Sequence, residues 1–139
     1  MNRTIIKLFL CLCIVTALPS YAYNTVHYYF RTVDIRNGLS QNSVNCIFQD
    51  KKGFMWFGTK DGLSRYDGLS FRIYNNENSN LGRNFITVLY EDSKGNIWVG
   101  TDGGLYIYNP ILDSLTEFNL VSDKGTVIRD FVTMIRCDE

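Results

Sequence analysis

The chain has 139 residues, room for one modest domain, with the hydrophobic (45%) and charged (20%) fractions of an ordinary globular protein. Its formal net charge is zero, which excludes the basic field expected of a nucleic-acid-binding surface. Aromatic residues reach 14%, a composition that leans towards sheet.

The chain opens on a segment that reads as a secretory signal peptide over residues 1–22. Arg3 and Lys7 form a positive start, Leu8 to Leu18 is an apolar run too short for a stable membrane anchor, and Pro19-Ser20-Tyr21-Ala22 ends in small residues suited to cleavage. The alternatives are an uncleaved anchor or a lipid attached at Cys11 or Cys13. Cys46 and Cys137 stand at unlike positions further on, so no bridge between them is expected. Neither has a His or Cys at metal-ligand spacing, so a zinc site is not expected.

Residues 23–36 are read as an N-terminal strand, because Val26 to Val33 is rich in strand formers. Its expected place is in the last blade of a closed ring. His27, the single histidine, has no local partner and is not expected to act as catalyst or ligand.

From Asn37 a unit begins that the chain repeats. Residues 37–79 form repeat 1 and residues 80–122 repeat 2. The shared frame is Asp-x-x-Gly-x-x-Trp-x-Gly-Thr: Asp50, Gly53, Trp56, Gly58, Thr59 and then Gly62 recur 42 residues later as Asp92, Gly95, Trp98, Gly100, Thr101 and Gly104. That period falls among those of propeller blades. Each unit predicts four antiparallel strands. In repeat 1 they cover Ser43–Gln49, Phe54–Phe57, Leu63–Tyr66 and Phe71–Tyr74. In repeat 2 they cover Phe85–Tyr90, Ile97–Val99, Leu105–Tyr108 and Leu115–Leu120. The tight turn after the first strand uses Asp to accept backbone N–H groups and Gly to supply positive φ. Residues 123–139 start a third repeat, in which Phe131 to Ile135 resembles Ser43 to Ile47 and Asp138 falls where Asp50 and Asp92 fall.

Phe54, Trp56 and Gly58 point one way and Met55 and Phe57 the other, so both faces of the strand are apolar. A sheet covered on both sides fits that pattern, which is the position of a blade between neighbours. The expected fold is all-β: an incomplete β-propeller of two four-stranded antiparallel blades plus the first strand of a third. Propellers close with about four to eight blades. The chain is therefore read as an N-terminal piece of a longer protein or a truncated product, with a ring of several copies as the lesser alternative.

The repeats Asn42-Ser43-Val44 to Gly58-Thr59 and Asp61 to Gly68, with the opening Asn37-Gly38-Leu39-Ser40, resemble the two-component regulator propeller repeat. The resemblance covers about residues 28 to 138. It implies the periplasmic sensor region of a Bacteroidetes-type hybrid two-component system sensor histidine kinase. Such a protein would carry two propellers, an immunoglobulin-like domain, a membrane span, a kinase, a receiver and a DNA-binding domain. The resemblance also implies a ligand derived from glycan breakdown, partnership with the remaining propeller blades and a homodimer in the full-length family. No binding residue is carried over, because the family's ligand loops are mostly absent from this stretch. The 139 residues hold no kinase, receiver or helix-turn-helix motif. No catalysis, cofactor, metal or nucleic-acid contact is therefore expected of them.

The candidate residues have plain structural readings. Trp56 and Trp98 could stack on sugars but are read as packing between blades. Asp50 and Asp92 could ligate calcium or act as acids but are read as turn caps. Lys60, Asp61 and Asp102 are read as solvated loop residues, and Gly103-Gly104 as part of the repeat rather than a phosphate loop. Two other functions stay open: a secreted propeller scaffold for protein interaction, and a fragment of a propeller lyase or glycosidase.

Overall fold

A computed structural model of the chain describes residues 26–136. The proposed signal segment, Cys11, Cys13, Cys137 and Asp138 lie outside the described residues. The chain divides into two units, Met1–Arg31 and Thr32–Glu139. In the first, residues 26–31 are exposed and carry no regular structure. The strand expected over Val26–Val33 is therefore not formed among the described residues. Strand formers alone do not make a strand; the ladder that satisfies their backbone groups does.

The second unit opens on a single 3-10 turn, Ile35–Asn37. Asp34 caps it and Gly38, at φ 103°, ends it. Eight strands follow as two blades. The first has β1 (Val44–Gln49), β2 (Met55–Thr59), β3 (Gly62–Tyr66) and β4 (Phe71–Tyr74). The second has β5 (Ile86–Glu91), β6 (Ile97–Thr101), β7 (Gly104–Asn109) and β8 (Ser114–Phe118). Each is a meander in sequence order, antiparallel throughout. The registers repeat as well: Gly58 faces Leu63 and Gly100 faces Leu105, and a bulge follows Val44 and Ile86 alike. The chain is thus an incomplete β-propeller.

The end of the second unit differs from the sequence reading. The last strand stops at Phe118, and Leu120–Val121 (β9) pairs instead with Val127–Ile128 (β10). Residues 131–136, expected as a strand, join no ladder. They still dock: the Val132 N–H donates to the Thr101 carbonyl at 3.0 Å, and Thr87 Oγ1 donates to the Val132 carbonyl at 2.5 Å. Asn45 Nδ2 makes the matching bond to the Ile86 carbonyl one blade earlier, at 2.8 Å.

The core lies between the blades. The first contributes Trp56, Leu63 and Tyr74; the second contributes Leu89, Val99 and Leu115 from its facing side. Strand alternation explains why both faces must be apolar, since each blade has a neighbour to cover on each side. Where a face has a neighbour it is buried; where it has none it is open. Trp56 is 1% exposed, whereas Trp98 is half-buried. Leu89 is 9% exposed, whereas Ile47, its counterpart on the outer face of the first blade, is 59% exposed.

Gly58 and Gly100 set how closely successive units approach. A Cβ added at Gly58 would lie 2.4 Å from Cys46 Sγ and 2.6 Å from Ile86 Cγ2. At Gly100 it would lie 2.6 Å from Val88 Cγ1 and 2.9 Å from Val132 Cγ1. Any side chain there would drive the units apart.

Candidate functional site at the blade interface

The repeated residues build two copies of one local device. Asp50 Oδ1 accepts the N–H groups of Lys52 and Phe54, both at 2.9 Å, which fixes the β1–β2 turn. Its Oδ2 accepts the indole N–H of Trp56 at 2.8 Å, so one buried carboxylate holds both turn and core ring. Asp92 does the same with Lys94, Asn96 and Trp98, and Asn96 Nδ2 adds a bond at 2.7 Å. The side chains of Asn96 and Trp98 hold the Asp92 carboxyl down to about 2. These aspartates have their oxygens spent inside the fold. Gly53 and Gly95 complete the turns at φ 91° and 83°, where a Cβ would be strained.

Thr59 and Thr101 are fully buried and bridge the next turn. Their hydroxyls donate to the carbonyls of Gly62 and Gly104 at 2.8 and 2.9 Å, and accept the N–H groups of Asp61 and Gly103. Lys60, Asp61 and Asp102 are exposed on these turns, and Asp61 accepts a bond from Asn84 Nδ2 at 3.1 Å. His27 is exposed. Burial pushes the Cys46 thiol up to about 11, so it keeps its proton at neutral pH.

Sequence reasoning did not find the most elaborate polar cluster. Asp113, on the β7–β8 connection of the second blade, reaches the first blade. Its Oδ1 accepts the Tyr74 hydroxyl at 2.5 Å and the Tyr108 hydroxyl at 2.7 Å, and its Oδ2 pairs with Arg72 Nε at 2.7 Å. Arg65 Nη1 donates to the Tyr108 hydroxyl and lies 3.4 Å from Asp113 Oδ1. The Arg65 guanidinium also lies over Phe54, 4.9 Å from the ring centre, and within 5.8 Å of the Trp56 and Tyr108 rings. Burial opposes the Asp113 charge, but the two tyrosine hydroxyls and the guanidinium groups outweigh it and lower its pKa. Burial, reinforced by Asp113, pushes the Tyr74 hydroxyl far above the usual phenol range.

A cleft of about 210 Å³ opens beside this cluster. Asp50, Lys52 and Phe54 line it from the first blade with Arg65, and Glu91, Ile97, Tyr108 and Pro110 line it from the second. Among the described residues no group of three or more acidic, His or Cys side chains could hold a metal. Nor is any described helix long and apolar enough to cross a membrane.

Tandem four-stranded meanders with an inter-blade core define a propeller-type repeat protein. Residues 38–61 and 80–103 match the two component regulator propeller model, one match in each blade. Over 50 residues it is 48% identical to the histidine kinase P4 of Formosa agariphila, a stretch covering 36% of this chain and 4% of that protein. It is also similar to the solved extracellular domain of BT3049 from B. thetaiotaomicron, described as a hybrid two component system. There the TM-score is 0.61 at 30% identity, over 73% of this chain and 15% of that one. The extracellular domain of BT4673, described as a one component system from the same organism, gives a TM-score of 0.61 at 27% identity, over 69% of this chain and 14% of that one. The chain thus spans a small part, 4 to 15%, of the relatives it matches.

Proposed function

We propose that this chain supplies two blades of an extracytoplasmic sensor propeller in two-component signalling, with no catalysis of its own. The observation that carries this reading is the exact repetition of the Asp–Trp–Gly blade in a chain similar to the extracellular domains of two signalling proteins. The spent state of Asp50 and Asp92 supports the non-catalytic part: each carboxylate is committed to a turn and an indole. The ligand of the complete sensor is a glycan-derived oligosaccharide, bound with the help of further blades, and the first 22 residues direct export.

Two measurements test this. A fusion of alkaline phosphatase after residue 136 is expected to be active in bacterial cells, because that enzyme needs an oxidising compartment. An inactive, cytoplasmic fusion would sink the extracytoplasmic reading. The coding sequence around the chain is expected to continue in frame into further Trp-x-Gly-Thr units and a kinase. A continuation into an adhesion or sorting module would favour the secreted scaffold instead.

A further inference from the structure

Arg65 stands apart from the other charged groups of the blade interface. Of its five N–H donors, those on Nη1 meet Tyr108 and Asp113, while Nε and Nη2 have no partner among the described residues. Among those residues no fully buried side-chain nitrogen or oxygen lacks a partner, so neither Nε nor Nη2 is fully buried. The side chain as a whole is only 22% exposed, and it lines the inter-blade cleft. Rings and Asp113 hold the guanidinium in place, which removes much of the entropy cost of using its free edge.

We propose that this cleft is a binding site for a small organic monocarboxylate, held bidentately by Nε and Nη2 of Arg65. The planar Nε/Nη2 edge matches the spacing of the two carboxylate oxygens. Lys52, which has no ion pair among the described residues, adds a second cation at the rim. Phe54, Ile97 and Pro110 give an apolar wall for the rest of the ligand. Asp50 and Glu91 line the same space, and their carboxylates repel a dianion such as phosphate more than a single carboxylate. The volume of about 210 Å³ limits the ligand to a handful of heavy atoms. The site belongs to this chain and stands whether or not the chain signals.

The test is a titration of the full chain with sodium isobutyrate at fixed ionic strength, following the Arg65 side-chain Nε–H resonance. Isobutyramide, the neutral isostere, serves as the control. A saturable shift with isobutyrate alone is expected, with a Kd on the order of 1 mM for so small a ligand. Arg65→Lys loses the planar fork and is expected to weaken binding roughly tenfold. Because that variant also disturbs the cluster and could unfold, Glu91→Gln is the second variant. It removes a repelling charge and is expected to tighten binding by roughly two- to fivefold. The proposal is overturned by a shift that never saturates, by equal saturation with isobutyramide, or by an affinity unchanged in Glu91→Gln.

Discussion

Asp50 and Asp92 share a job but differ in surroundings, and the difference predicts different costs. Asp50 is buried, and Asp50→Ala strands two backbone N–H groups and the buried Trp56 indole. An expected loss of about 2–3 kcal/mol follows for a buried charged acceptor removed from its donors, read as a fall in the urea unfolding midpoint. Asp92 and Trp98 are half-buried, so water replaces part of what Asp92→Ala removes, and the fall is smaller. Asp92 also carries a pH signature. Its folded pKa, about 2, lies below the ordinary 3.8, so its contribution is complete above pH 3.8 and is lost as the pH falls through 2. Unfolding midpoints of wild type and Asp92→Asn between pH 4 and pH 2 are expected to differ in slope, the variant being shallower. Equal slopes would mean that Asp92 is not the group titrating.

At the scale of elements, each turn was readable because the residues that make it are adjacent in sequence. The Asp and Gly of the β1–β2 turn are three apart, and the hydrogen bonds from Asp50 reach only two to six residues along. Elements that depend on a distant partner were read less well. The segment over Val26–Val33 has strand composition but no ladder, and residues 131–136 dock on the second blade without pairing. Gly58 is legible as a repeat position, yet half of its reason is tertiary: a Cβ there would meet Cys46 of its own blade at 2.4 Å and Ile86 of the next blade at 2.6 Å. Gly58→Ala is expected to cost about 1–3 kcal/mol through overpacking. The loss should shrink when Ile86→Ala is added, since the two sites are in contact. A double variant whose losses simply add would show that Gly58 matters for another reason.

Across the whole molecule, burial depends on whether a blade has a neighbour. Trp56 is covered by the second blade and packs edge-on against Tyr108, with ring centres 4.8 Å apart; Trp98 is half-buried and packs edge-on against Phe118, with ring centres 5.0 Å apart. In the single-tryptophan variants Trp98→Phe and Trp56→Phe, acrylamide is expected to quench Trp98 several-fold more than Trp56. Equal quenching would contradict the open outer face. The Asp113 cluster is the other feature of this scale, tying a loop of the second blade to Arg65, Arg72 and Tyr74 of the first. Asp113→Ala leaves two guanidinium groups and two hydroxyls without their shared acceptor. An expected cost of about 1–3 kcal/mol is checked by thermal melting.

The blade is written in the order of residues. A period of 42 residues, the Asp and Gly of each turn, the Trp and Gly of each second strand and apolar residues on both strand faces are local or periodic signals. What lies between the blades depends on how they pack. Arg65 stands where the second copy has Ile107, and Asp113, on the β7–β8 connection, stands where the first copy has Phe71. Neither belongs to the repeat frame, and nothing in the order of residues says that they meet. They meet because close packing at Gly58 brings the second blade's loop over the first blade's outer strands, where a carboxylate can answer two arginines at once.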